Sequence, residues 1–155
     1  MRKKAMKKTT RSRKKKLTGR YKSGLEKYCA DKLAELGIAF DYEERVYLLQ
    51  DSFRYNGIYH KMTARGKNMI DRSNAVVLPI RYTPDFTGRD YDWVIETKGF
   101  TFSQHTFQLR WKLFLQHVNS LDNPPAVFMP KNKEQVDKTV EMISQLIKNG
   151  QIQAI

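Results

Sequence analysis

Asp85, Glu96 and Lys98 are the residues of this 155-residue chain best placed to do chemistry together. They sit in Tyr82-Thr83-Pro84-Asp85-Phe86 and Glu96-Thr97-Lys98-Gly99, two short stretches separated by turn-forming residues. A hairpin turning tightly around Asp90-Tyr91 sets Asp85 opposite Glu96, with Cβ atoms about 5 Å apart. Strand alternation then points Glu96 and Lys98 to one face. Two carboxylates that close repel, more so when buried, unless a proton or a cation lies between them. Mg²⁺ meets the need, because it takes hard oxygen ligands and keeps waters for chemistry on phosphates.

Asp-xₙ-Glu-x-Lys is thus read as the pattern of a metal-dependent nuclease. Asp85 and Glu96 would ligate Mg²⁺ or Mn²⁺, one or two ions per site, with the Thr97 carbonyl as a third ligand. Lys98 would orient the attacking water or stabilise the pentavalent transition state. Singly, each residue has a structural explanation. Asp85 after Pro84 suits a turn, and Glu96 with Lys98 suits a surface pair on an edge strand. Together, beside Val94 and Ile95, three charges on one face of an apolar hairpin are costly unless they bind something.

The elements that must hold these residues are legible as patterns. Ser23-Gly24-Leu25-Glu26 is a capping-box sequence that opens a helix. Leu25, Cys29, Leu33 and Leu36 form its apolar stripe, with Tyr28 alongside, and Gly37 ends it. Glu26 has a complete structural explanation, reaching back to the backbone of Ser23, and catalysis is the alternative. Residues 38–42, 46–49, 75–78 and 80–82 read as strand, Thr87 to Asp90 as a turn, and 91–97 as the returning strand. A helix is expected over 104–119 with Phe107, Trp111, Phe114, Leu115 and Val118 on one face. A short strand follows at 126–129. A last helix covers 133–149, lined by Val136, Val140, Ile143 and Ile147. The order α-β-β-β-α-β-α gives an α/β (α+β) domain, a mixed sheet flanked by helices. Residues 50–74 are polar and basic without clear periodicity, which fits a long hairpin or a loop beside the site.

Charge divides the chain in two. Residues 1–22 carry 12 of the 29 Lys and Arg and no acid, while residues 23–155 hold 17 bases and 16 acids. A block that basic has too little apolar surface to fold alone, and its natural partner is a polyanion. Lys14, Lys15, Lys16, Arg20 and Lys22 are the nucleic-acid-binding candidates on this arm, and residues 23–155 form a single domain with a 50–74 insertion. One cysteine, Cys29, excludes an intramolecular disulfide and points to a reducing compartment. The basic terminus lacks the apolar region of a secretory signal, and no apolar run approaches membrane-spanning length. The expected location is cytoplasmic, with no membrane partner. His60, His105 and His117 lack zinc-ligand spacing, and Ser23 and Ser103 lack a His-Asp arrangement. No Gly-rich phosphate loop is present, so no nucleotide cofactor is expected.

Lys22-Ser23-Gly24-Leu25-Glu26, Tyr42-Glu43-Glu44, Tyr82-Thr83-Pro84-Asp85-Phe86 and Glu96-Thr97-Lys98-Gly99 occur in the order found in phage endonuclease I. These blocks, over residues 20–45 and 80–100, resemble that family of Holliday junction resolvases, which has the PD-(D/E)xK nuclease fold. The resemblance implies that Asp85, Glu96 and Lys98 match the catalytic trio and that Glu26 completes the metal site. It implies a homodimer acting in a host cytoplasm on branched DNA. Tyr42, Glu43 and Glu44 are read as strand residues near the site rather than ligands. The chain departs from the family in its longer 50–74 segment and beyond Gly99, where Phe107 to Phe114 looks more like other phage proteins of this nuclease fold. Nicked, flap or linear duplex DNA is the alternative substrate class, and a non-catalytic nucleic-acid-binding protein is the alternative of another kind.

Overall fold

Ser23 does cap a helix. In the computed structural model, which describes residues 19–62, 65–99 and 105–153, its Oγ accepts the N–H of Glu26 at 3.1 Å and opens α1 (Gly24–Glu35). Gly37, at φ 66°, ends the helix in the left-handed conformation that glycine adopts without a Cβ penalty. Cys29 and Leu33 of the expected stripe are buried, whereas Leu36 is exposed, because the helix stops at Glu35 before its last turn can be covered.

The central sheet has four strands in the order β1 (Phe40–Tyr42), β8 (Phe86–Gly88), β9 (Trp93–Ile95), β10 (Ala126–Phe128). β1 and β9 run antiparallel to β8, and β10 runs parallel to β9. The parallel pair needs a crossover, which α2 (His105–Asn119) supplies. α3 (Lys133–Lys148) opens on Asn132, whose side chain accepts the N–H of Gln135, and follows β10.

Two clusters fill the space on either side of the sheet. Phe86, Trp93 and Ile95 pack with Cys29 and Leu33 of α1 and with Val136, Val140 and Ile143 of α3. Val94 points the other way and packs with Phe114 and Val118 of α2, as strand alternation requires. Leu115, expected on that apolar face, is exposed instead. The helices around this sheet keep the order α-β-β-β-α-β-α.

The turn between β8 and β9 starts later than the sequence suggests. Thr87 and Gly88 still belong to β8, and the loop runs through Arg89 to Asp92. Tyr91 donates its N–H to the Gly88 carbonyl at 2.9 Å and takes φ 60°. A Cβ on Gly88 would lie 2.6 Å from the Trp93 indole nitrogen, so only glycine fits this corner. A four-residue loop has the same centre as a two-residue one, so Phe86 faces Ile95 and Thr87 faces Val94. That register places Asp85 and Glu96 as the next pair.

The strand expected at 46–49 forms as β2 (Tyr47–Gln50), outside the central sheet. It pairs with β7 (Ile80–Tyr82). Beyond it β3 (Phe53–Arg54) pairs with β6 (Val76–Val77), and β4 (His60–Met62) with β5 (Met69–Asp71). The 50–74 segment is therefore the outer part of one long, irregular antiparallel ribbon. Every residue from Asp51 to Met62 is exposed. With no buried face, the sequence carries no alternation to read.

Candidate active site

Asp85 follows buried Pro84 at the start of β8, where the missing N–H of proline costs no ladder bond. Its Oδ2 accepts two hydrogen bonds from Thr97, one from the backbone N–H at 2.7 Å and one from the hydroxyl at 2.6 Å. Oδ1 accepts none among the described residues. The neighbouring strand is locked by the Glu43 N–H, which donates to the Asp85 carbonyl at 3.0 Å. Glu43 stands at φ 51°, a left-handed conformation rare for a residue with a Cβ. There the chain leaves β1, so Glu43 is a corner residue and not the strand residue that the sequence suggests.

Glu96 is 5 % exposed. The Tyr82 hydroxyl donates to its Oε2 at 2.6 Å, and the Lys98 ammonium lies 3.0 Å from its Oε1. Lys98 also stands 3.7 Å from the ring centroid of Phe107, a cation over an aromatic face. Burial and the Glu96 charge push the Tyr82 phenol above its ordinary range, which keeps it a donor. The edge-strand pair considered for Glu96 and Lys98 is excluded, since β9 is an inner strand and Glu96 is buried.

Glu26 approaches from α1. Its Oε2 accepts the Tyr42 hydroxyl at 2.6 Å and the Lys22 N–H at 2.8 Å. The capping box is thus half formed. Ser23 caps the helix, but the Glu26 carboxylate bonds Lys22 rather than returning to Ser23. It is 7 % exposed and faces inward, where the helix cap needs no buried charge.

Asp85 feels both of the other carboxylates. Burial first, and the Glu96 charge second, push the Asp85 carboxyl up to about 7, against the two Thr97 bonds; the Glu26 charge adds to the rise. Burial and a neighbouring like charge both disfavour the ionised form of a carboxyl. Among the described residues no group of three or more His, Cys, Asp or Glu converges closely enough to hold a metal ion alone. The donors do suit Mg²⁺ or Mn²⁺, which are commonly held by one or two carboxylates, with waters and phosphate oxygens completing the shell. Asp85, Glu96 and the Thr97 carbonyl are the candidate donors, and the Glu26 charge is felt at Asp85.

Of the arm residues, Lys14, Lys15 and Lys16 lie outside the described residues. Arg20 stands 3.9 Å from Glu44 and 5.8 Å from the centroid of Tyr42, and Lys22 pairs with Glu43. The root of the basic segment therefore sits at the rim of the carboxylate cluster. Cys29 is no nucleophile, since burial and then the Asp85 charge push its thiol up to about 12.

Sequence reasoning missed Tyr82 and Phe107 as members of this cluster and treated Tyr42 as a plain strand residue. Tyr82 lies in the motif itself, but which face it takes depends on the break at Thr83-Pro84. The Phe107 contact with Lys98 is made across the crossover and leaves no local signal. No protein-family model, no curated protein and no solved structure matches this chain.

Proposed function

We propose that the chain is a metal-dependent endodeoxyribonuclease of PD-(D/E)xK type that cuts branched DNA, four-way junctions above all, as a homodimer. The observation that carries this reading is Asp85 held against Glu96-Thr97-Lys98, with Glu26 close enough to raise the Asp85 carboxyl further. The mixed four-stranded sheet, crossed over by α2, supports the finer fold assignment. Two-fold symmetry supports the dimer, because a four-way junction needs paired incisions.

Asp85 and Glu96, with the Thr97 carbonyl, would hold the ion, and Glu26 would reach it through a water ligand. When bound, Mg²⁺ or Mn²⁺ lowers the pKa of a water ligand and neutralises charge on the scissile phosphate. Lys98, held by Glu96 and Phe107, presents its ammonium to the attacking water or to a non-bridging phosphate oxygen. Tyr82 and Tyr42 restrain the rotamers of Glu96 and Glu26 by donating to one oxygen of each. The arm rooted at Arg20 and Lys22 adds sequence-independent attraction to the backbone.

A second reading, a nucleic-acid-binding protein without catalysis, is favoured by the absence of a three-residue metal cluster among the described residues. Four-way junction, nicked, flap and linear duplex DNA of one sequence, offered with Mg²⁺ at one ionic strength, separate the readings. Incision of the junction that is lost in Lys98→Ala supports the proposal. Preferred cutting of flap or nicked DNA moves the substrate within the same chemistry. Tight binding with no incision of any of the four supports the second reading.

A further inference from the structure

The ribbon from Tyr47 to Tyr82 is anchored at its root alone among the described residues. Its root is buried: Tyr47 packs edge-on against Phe114 at 5.0 Å, and Tyr82 lies 4.7 Å from the same ring. Among the described residues its outer strands pair only with one another, and a two-stranded ribbon alone is marginal in water. It nevertheless exposes large apolar side chains, with Ile58 at 85 % and Met69 at 65 %. Apolar surface of that kind, standing free, marks an interaction site.

Charge says which kind. Residues 51–74 hold five Lys or Arg and only two acids. Without them, the domain that begins at residue 23 has 12 bases and 14 acids. The ribbon is thus the cationic feature of a body that is otherwise slightly acidic. Lys61, Lys67 and Arg72 are exposed and enter no ion pair among the described residues. Lys61 lies opposite Ile70 in the register, so cation and apolar groups are mixed along the ribbon rather than sorted into an apolar centre and a charged rim. Two ribbons meeting each other would each bring five bases against two acids, which opposes self-association of ribbon on ribbon.

We infer that the ribbon is a DNA-reading arm that lies in the major groove of a duplex segment next to the bond being cut. This rests on the nucleic-acid part of the reading above. The major groove, about 12 Å wide, admits a two-stranded ribbon, and thymine methyl groups there accept apolar side chains. The descending strand ends in Tyr82, which donates to Glu96, and Asp85 follows three residues on. From Tyr82 to Met69 the strand spans at most about 43 Å. The tip therefore reaches about one helical turn of DNA from the site.

The test measures junction binding by the full chain in EDTA, so that cutting plays no part. For the variant Lys61→Gln, Lys67→Gln, Arg72→Gln we expect the slope of log K against log salt to shallow by about 2.7, some 0.9 per cation. We expect the parent, and not the variant, to protect guanine N7 from dimethyl sulfate within about one helical turn of the site. An unchanged slope with unchanged N7 protection overturns the inference. So does protection confined to adenine N3 in the minor groove. A variant that changes mass in sedimentation while its salt slope stays parental assigns the ribbon to self-association instead. Since no step requires incision, a parent that binds but never cuts would overturn the nuclease reading and leave this measurement standing.

Discussion

The molecule contains two antiparallel hairpins joined at Tyr82, and they use charge in opposite ways. The β8–β9 hairpin is buried on both faces and holds its carboxylates where burial makes them repel. The ribbon above it is exposed on both faces and holds cations in water, where they cost little. The first carries a buried carboxyl raised by its neighbours, a glycine-only corner at Gly88, and Tyr91 in a left-handed conformation. The second has one left-handed residue, Asn74 at φ 61°, in an exposed turn between its strands. Under the proposed reading, a site that binds a cation has to be prepared by the fold, whereas a surface that meets a polyanion needs reach and charge.

The largest effect expected falls on the buried hairpin. Asp85→Asn removes the carboxylate that Thr97 holds in place. Initial rates of junction incision should drop by about 10³-fold or more, with EDTA-phase binding unaltered. Next comes the shared root. Phe114→Ala empties the cluster that carries both Tyr47 and Tyr82, at a cost of about 3–5 kcal/mol in urea unfolding. If the two hairpins were energetically independent of α2, that loss would be under about 1 kcal/mol, the range of a substitution outside the core.

Tyr82→Phe probes the join without emptying it. It deletes the hydroxyl bound to Glu96 and keeps the ring on Phe114. The Mg²⁺ concentration for half-maximal incision should rise about 10- to 100-fold, as for loss of a partner that orients a metal ligand. A lower maximal rate at unchanged half-saturation would place Tyr82 elsewhere in the chemistry.

The Asp85 carboxyl also predicts a pH trend in the metal-free chain. Unfolded, it ionises near 3.8, while folded it keeps its proton up to about 7. Between those values the folded state binds more protons, so stability falls as pH rises from about 4 to about 7 and levels off above. Urea midpoints of the parent minus those of Asp85→Asn, taken in EDTA across that range, isolate this contribution. A difference that does not move with pH would remove the repulsion from the account. The smallest effect belongs to the ribbon: Ile58→Ser should change stability by no more than about 0.5 kcal/mol, because the side chain is already in water.

How much was legible follows the same division. The cap at Ser23, the last helix from 133, the order of elements around the central sheet and the hairpin register were readable, because caps and alternation are local patterns. Glu26 was readable only as a choice between a cap and a catalyst. Its preference for Lys22 and Tyr42 depends on where β1 passes α1, a tertiary fact. The ribbon hid for a different reason, having no buried side to imprint a period. Leu36 and Leu115 misled because helical spacing fixes a face without saying how far the core extends along it.

The central claim is that the Asp85–Glu96–Lys98 cluster breaks phosphodiester bonds with a divalent cation. The most direct measurement is incision of a four-way junction by the full chain over a Mg²⁺ titration, run beside Asp85→Asn, with binding of both proteins measured in EDTA. We predict that the parent cuts only when Mg²⁺ or Mn²⁺ is present, that Asp85→Asn does not cut, and that the two bind the junction equally. Incision by Asp85→Asn at the parental rate, or binding by both with incision by neither, would contradict the account.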